Sequence, residues 1–337
     1  MDSLSSAEAP IIYGERDFSN CHEGRLHVLQ IGLGTYGTFL ENAAASGLGH
    51  PAIKWLLDAV SVDSWPEIVG VGVEPIPEHV SRLKAIVDTL PNTSLVQAAV
   101  SSDNSKIMMH CIPSDTLQRC HQQMAVFEKQ EQGLSVDIEY LLNMASVGRD
   151  HPDFHHCARR IKEEYGVVIQ MEQIEALSVT YGELSSMLRF SGVEVLIVDA
   201  EGCDCRILQS VIDHCVQQPE NSRPWPHIIQ FETMGWGDKF DGPGAEESIL
   251  GQLVHQGYLI CYQGKDTVLV SRHASQLPRV ETWLMALRCI DCRETGLRAM
   301  PFHSRGRGYV CESCTRGAPY DQMVQALFDQ MVQRESA

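Results

Sequence analysis

The sequence predicts an α/β fold in which a mostly parallel, seven-stranded sheet alternates with helices and ends in an antiparallel hairpin. Three observations carry this. Seven short apolar runs punctuate the chain, longer stretches separate most of them, and the last two are divided only by Gly264, Lys265 and Asp266. Several runs are apolar almost without interruption, as strands buried on both faces of a sheet must be. Three residues cannot hold a crossover helix, so the final pair turns back on itself.

In order, the strands are "LHVLQI" (26–31), "IVGVGVE" (68–74), "SLVQAAV" (94–100), "VEVLIVDA" (193–200), "HIIQFE" (227–232), "YLICYQ" (258–263) and "TVLVSR" (267–272). Residues 1–24, small and polar with one proline, read as a flexible lead-in. Residues 25–275 make the sheet domain. Between its third and fourth strands lies an oversized insert, about 111–180, with helical periodicity in "DTLQRCHQQMAVFEKQ" and "FHHCARRIKEEYG". An excursion leaving the carboxyl edge of a parallel sheet can cover the crevice where ligands bind, so this insert reads as a lid or recognition element. Residues 276–337 form a cysteine module with a terminal helix, in which Met323, Leu327 and Met331 recur at helical spacing.

Bulk properties narrow the class. A chain of 337 residues, 44% hydrophobic, is long enough for one large domain with an added module. No run of eighteen apolar residues occurs, and "MDSLSSAEAP" lacks the basic start and apolar core of a signal peptide, so a cytoplasmic protein without a membrane span is expected. The net charge of −18 is spread along the chain, which disfavours nucleic acid as the main partner. Twelve cysteines in such a chain, some paired as C-x-x-C, fit reduced thiols and a metal better than disulfides.

The first strand runs into "VLQIGLGTYGTFL", where Gly32, Gly34 and Gly37 match G-x-G-x-x-G between a strand and a helix. Such a turn lets backbone N–H groups approach an anionic ligand, although a tight turn alone would use the same letters. At the end of the second strand, Glu74 stands where a carboxylate can accept hydrogen bonds from two ribose hydroxyls; the plainer alternative is an exposed strand-end acid.

With "VEPIPEHVSRL", "AAVSSDNSK" and above all "LIVDAEGCDCRIL" added, followed by "PHIIQFE", residues 25–272 resemble the FkbM-type S-adenosylmethionine-dependent methyltransferases, the long insert excepted. The resemblance implies a Rossmann-like class I methyltransferase sandwich. It implies a cofactor whose carboxypropyl and sulfonium end lies near Gly32, Gly34 and Thr35, with its ribose on Glu74 beside Pro75 and its adenine near Ala99 to Asp103, including Ser101. It also implies that Asp199 and Glu201 face the methyl-transfer site. The chain departs from the family pattern at Gln30, where an acid is usual, at Gly37, one residue late, and at Ile197, where a lysine is usual.

Methyl transfer discharges a sulfonium by in-line displacement, so the protein positions the nucleophile and takes its proton. Asp199, Glu201 and Glu232, with Asp204 nearby, are the candidates at adjoining strand ends, able to orient a hydroxyl, act as base or share a divalent ion. Against this, Asp199 could cap the next helix while Glu201 and Asp204 complement its dipole. Cys203 and Cys205 read as packing residues. The expected activity is O-methylation of a small or modified metabolite. The alternatives are a catalytically silent methyltransferase fold serving as an interaction module, motivated by Gln30 and Ile197, and an NAD(P)-dependent oxidoreductase. Against the last, Glu74 follows the turn by much more than about 20 residues.

Two clusters could hold metal. "DHPDFHHC" gathers His151, Asp153, His155, His156 and Cys157, or simply opens a helix with Asp153 as cap. Cys289, Cys292, Cys311 and Cys314 have C-x2-C, x18, C-x2-C spacing, which reads as a structural zinc site on a ribbon hairpin, the alternatives being unpaired cysteines or a redox pair. With four thiolates, His303 is a loop residue. Arg298, Arg305 and Arg307 offer an acidic or phosphate-bearing partner a contact, or merely solvate the module, which is where a protein partner is expected if there is one.

Overall fold

The computed structural model describes residues 9–14, 18, 26–34, 68–90, 92–113, 115–116, 152–190, 192–220, 223–233, 235–263, 266–271, 302–305 and 308–311. In chain order its strands begin with β1 (Ile11–Gly14), β2 (Leu26–Ile31), β3 (Ile68–Val73), β4 (Thr93–Gln97), β5 (Ala99–Val100) and β6 (Ile107–Cys111). They continue with β7 (Glu172–Ala176), β8 (Ser178–Val179), β9 (Val195–Val198), β10 (Ile228–Glu232), β11 (Tyr258–Gln263), β12 (Asp266–Ser271), β13 (Phe302–Arg305) and β14 (Gly308–Cys311). The helices are α1 (Pro77–Val87), α2 (Pro152–Tyr165), α3 (Tyr181–Leu188), α4 (Asp204–Gln217), α5 (Trp236–Asp241) and α6 (Ala245–His255).

All seven expected strands lie side by side in one sheet, in the order β4-β3-β2-β9-β10-β12-β11. From β4 to β10 every ladder is parallel. β12 inserts between β10 and β11 and runs antiparallel to both; the short connection, Gly264 and Lys265 between the two strands, requires this of its pairing with β11. Over its full width, however, the sheet has ten strands among the described residues and is mixed rather than mostly parallel. β1 adds an antiparallel edge beside β4, and the β13–β14 hairpin extends the other edge through a parallel contact of Phe302 with Tyr262.

Those additions correct two expected boundaries. The lead-in is not uniformly a flexible tail: "IIYG" pairs with Gln97 through Ser94, and Phe18 is fully buried in the main core with its N–H donating to Leu188 O at 3.1 Å. Two isoleucines and a tyrosine supply the β propensity, and an edge ladder satisfies their backbone. The hairpin expected between the C-x-x-C pairs is present and takes in His303, which lies in β13 and not in a loop as expected, but it continues the main sheet instead of standing apart.

The core explains why these runs became strands. Leu29, Ile31, Val71, Val73, Leu196, Val198, Ile229 and Phe231 present one face, and Tyr181, Leu184, Leu188, Ile207, Leu208, Val211 and Leu253 from α3, α4 and α6 cover it. The helical residues recur at three- and four-residue spacing, so each helix turns one apolar stripe inward. α3 starts at a capping box: Glu183 N–H donates to Thr180 Oγ1 at 3.2 Å, and Thr180 N–H donates to Glu183 Oε2 at 2.9 Å. That reciprocal pair is worth about 1 kcal/mol and fixes where the insert re-enters the domain.

The expected third strand divides. β4 ends at Gln97, and β5 leaves the main sheet to pair with β8, whose residues come from the far end of the insert. β6 and β7 then form an antiparallel ladder, Ile107 with Ala176 through Cys111 with Glu172, so the insert leaves and returns along one two-stranded stem. Of its two expected helices, "FHHCARRIKEEYG" lies in α2, while "DTLQRCHQQMAVFEKQ" falls almost wholly outside the described residues. Among the described residues no helix is long and apolar enough to cross a membrane.

Candidate functional site

In chain order the five central parallel strands are numbered three, two, one, four, five across the sheet, so the winding reverses between β2 and β9. Ligands in open α/β sheets bind outside the carboxyl ends of the strands at such a reversal. The glycine turn sits there. Gly32 N–H donates to Val73 O at 3.0 Å, Asp199 N–H donates to Ile31 O at 2.9 Å, and the turn is thereby tied to both neighbouring strands. Gly32 has φ +83, and a Cβ on it would lie 1.8 Å from Asp199 O. Only glycine fits.

Gln30 is one residue inside the strand and 1% exposed. Its Nε2 donates to Gly32 O at 3.2 Å, so this amide braces the turn from below. Across the sheet it is in register with Gly72 on one side and Ile197 on the other. Gln30 and Ile197 are thus neighbours, and no charge stands at either.

Glu74 is the centre of the site. It is 3% exposed, which removes the reading of an exposed strand-end acid. Its Oε2 accepts from Leu33 N–H at 3.1 Å and Gly34 N–H at 2.9 Å; its Oε1 accepts from Ile76 N–H at 2.9 Å and from His79 Nδ1 at 3.2 Å. One carboxylate therefore joins the glycine turn to the start of α1. His79, itself 3% exposed, was absent from the sequence reading, because a histidine in the first turn of a helix gives no local sign that it faces back toward the preceding strand.

The segment expected near an adenine is close-packed. Ala99 N–H donates to Leu177 O at 2.8 Å and Ser101 N–H to Val179 O at 3.0 Å, so β8 covers this backbone from the insert side. Ser101 is buried, Pro75 half-buried, and Ser178 Oγ donates to Asp103 O at 2.6 Å. The insert thus contributes directly to the wall of the crevice through its returning strand.

The carboxylates meet at the same edge. Asp199 follows β9 and Glu232 ends β10, one step beyond the paired Val198 and Phe231. Opposite Glu232 in register is Asp266, 5% exposed, which the sequence presented as a hairpin-turn residue. Glu201 is half-buried with φ +47, a conformation uncommon for a non-glycine residue and one that turns the chain sharply ahead of α4. The N-cap of that helix is Cys203, whose side chain makes no cap hydrogen bond.

Asp204 emerges as the most perturbed acid. It is 2% exposed; Oδ1 accepts from Glu232 N–H and Oδ2 from Gly202 N–H, each at 3.3 Å. Burial first, then the charge of Asp199, pushes its carboxyl up from 3.8 to about 7, against the pull of backbone hydrogen bonds from Glu232 and its own N–H. Sequence reasoning had it as a dipole-complementing acid, with no sign that β10 and α5 would seal it in. Cys203 and Cys205 are packing residues as expected. Burial raises both thiols, Cys203 to about 12 and Cys205 higher still, and a protonated thiol is a poor nucleophile.

Thr35, Gly37, Cys289, Cys292 and Cys314 lie outside the described residues, as do His151 and the side chains of Asp153, Cys157 and Cys311. His155 and His156 are exposed on α2, and no group of three or more metal-capable side chains occurs among the described residues. Comparison with protein-family models, with curated proteins and with solved structures gave no match.

Proposed function

We propose that the chain is an S-adenosylmethionine-dependent methyltransferase of the class I fold, acting on an oxygen of a small or modified metabolite. The observation that carries this reading is the junction of Glu74 with the glycine turn: two features far apart in sequence form one hydrogen-bonded unit at the reversal point of the sheet. The β11–β12 hairpin, with β12 inserted beside β10, speaks for the same fold.

The donor set suits the cofactor. Gly32 and Gly34 leave room for backbone at the turn, Glu74 has the acceptor oxygens a ribose diol needs, and Ser101 with its neighbours lines the adenine side. The cofactor supplies a methyl group on a sulfonium. The chain's own work is to orient an acceptor hydroxyl in line with that methyl and to receive its proton, for which Asp199, Glu201 and Glu232 are the groups at the edge. Asp204, buried behind them, positions Glu232 through its main chain.

Calorimetry on the full chain tests the reading. S-Adenosylhomocysteine, the demethylated product, should bind with micromolar or better affinity, and Glu74→Ala should weaken it by roughly 30-fold or more, the loss of two charge-assisted hydrogen bonds. Binding of NAD alone would favour an oxidoreductase. Indifference to every nucleotide would favour a silent interaction module, a second reading motivated by the uncharged Gln30 and Ile197 pair.

Cys289, Cys292, Cys311 and Cys314 are proposed to hold a structural zinc ion. The β13–β14 hairpin that runs between the two C-x-x-C pairs and ends on Cys311 supports this. Protein purified under reducing conditions should carry one zinc per chain, and serine at Cys289 and Cys314 together should abolish it. Full-length protein without zinc under those conditions would sink the proposal.

A further inference from the structure

The four hydrogen bonds of Glu74 have a consequence for how any ligand enters. A carboxylate offers two oxygens with about four lone-pair sites. Leu33 N–H, Gly34 N–H, Ile76 N–H and His79 Nδ1–H occupy them, two on each oxygen. A ribose diol brings two further O–H donors to the same group. It cannot simply add to a carboxylate that is fully engaged and 3% exposed.

The four donors are not equally replaceable. Ile76 is two residues from Glu74 and at the N-cap of α1, so its N–H is held by local backbone geometry. His79 reaches Oε1 at the longest of the four distances, 3.2 Å, and is the one donor of the four that is carried on a side chain rather than fixed in the main chain. On Oε2 both donors belong to the glycine turn, where Gly34 has φ +58 and Gly32 φ +83, so one of them can leave only if the turn moves.

We propose that Glu74 and His79 form a latch that holds the glycine turn shut in the free protein, and that a vicinal-diol ligand opens it by exchange. One hydroxyl takes the place of His79 on Oε1, the other that of a turn amide on Oε2. The released amide then faces the crevice, where it can meet the anionic end of the same ligand. His79 is a positioning residue that competes with the ligand, and it lowers affinity rather than raising it. This rests on the methyltransferase reading for the identity of the diol, though not for the existence of the latch.

Two measurements on the full chain test the proposal. In ligand-free protein, residue-resolved hydrogen exchange at Leu33 and Gly34 is compared with the Gly32 amide, which is bonded to Val73 O and serves as internal reference. Both Glu74→Gln and Glu74→Ala should speed exchange at Leu33 and Gly34 by roughly tenfold or more relative to Gly32. An unchanged ratio in both variants overturns the latch. Calorimetry with S-adenosylhomocysteine should then give about three- to tenfold tighter binding for His79→Ala, with His79→Asn, whose amide can still donate to Glu74, returning toward the native value. Weaker binding in His79→Ala, restored by His79→Asn, would mean that His79 supports the ligand and would overturn the exchange. Accelerated Leu33 and Gly34 exchange in a protein that ignores S-adenosylhomocysteine supports the latch and removes the methyltransferase reading instead.

Discussion

Gly32→Ala is expected to lower stability by more than about 3 kcal/mol and, on the proposed function, to abolish S-adenosylhomocysteine binding. Two costs add. The left-handed φ of +83 is unfavourable to any L side chain by about 1–2 kcal/mol. The new Cβ would also stand 1.8 Å from Asp199 O and 2.6 Å from Asp199 C, which are backbone atoms of the next strand's end and cannot rotate away. Relief requires β2 and β9 to separate at the crevice, and those strands sit in the middle of the sheet with core side chains locked across them. In a domain of this size the change should take roughly 6–12 °C off the melting temperature. Gly257→Ala is the control. That residue has φ +91 but nothing within 4 Å of its Cβ position, so it should pay the conformational cost alone, about 1–2 kcal/mol. Equal losses in the two variants would show that the close approach of the strands at the turn is not the constraint it is taken to be.

The contrast between these two glycines also marks what a sequence discloses. Gly32 was legible as special because it follows an apolar run and belongs to a patterned triplet, and both signals are local. Glu74 was legible for the same reason, standing at the end of "IVGVGV". What the letters did not carry is the bond between them, since Leu33 and Gly34 meet the carboxylate only once β2 and β3 are paired. β5 was hidden likewise. "SLVQAAV" looks like one strand, and its break after Gln97 depends on β8, which arrives only after the whole insert has intervened. Asp266 and Asp204 looked like a turn residue and a first-turn helix acid because their burial comes from strands and helices remote in sequence. Apolar periodicity reports burial by an element's own face. It is silent on a polar side chain that another element covers.

Asp204 gives that silence a measurable consequence, because its folded state should be less stable at pH 8 than at pH 5. The carboxyl titrates near its ordinary 3.8 when unfolded and near 7 when folded, raised by burial and by Asp199. Between those values the folded chain keeps a proton that the unfolded chain has released, so stability falls as pH rises through the window. The contribution is fully present below about pH 4 and gone above about pH 7; at about 1.4 kcal/mol per pH unit the swing is on the order of 4 kcal/mol. Urea unfolding from pH 5 to 8 reads it directly. Asp204→Asn, neutral throughout, should flatten the slope in that range. Asp199→Asn, by removing the neighbouring charge, should shift the window downward, while a native and an Asp204→Asn profile of equal slope would refute the assignment. The same proton bears on the site itself. A neutral Asp204 removes a like charge from beside Asp199 while its oxygen still receives the N–H of Glu232; a charged Asp204 keeps that hydrogen bond and adds repulsion at the edge where the proposed acceptor would dock. Binding of an anionic acceptor should therefore weaken above pH 7 in the native protein and change little in Asp204→Asn, which ties the buried acid to function by a route that leaves the glycine turn untouched.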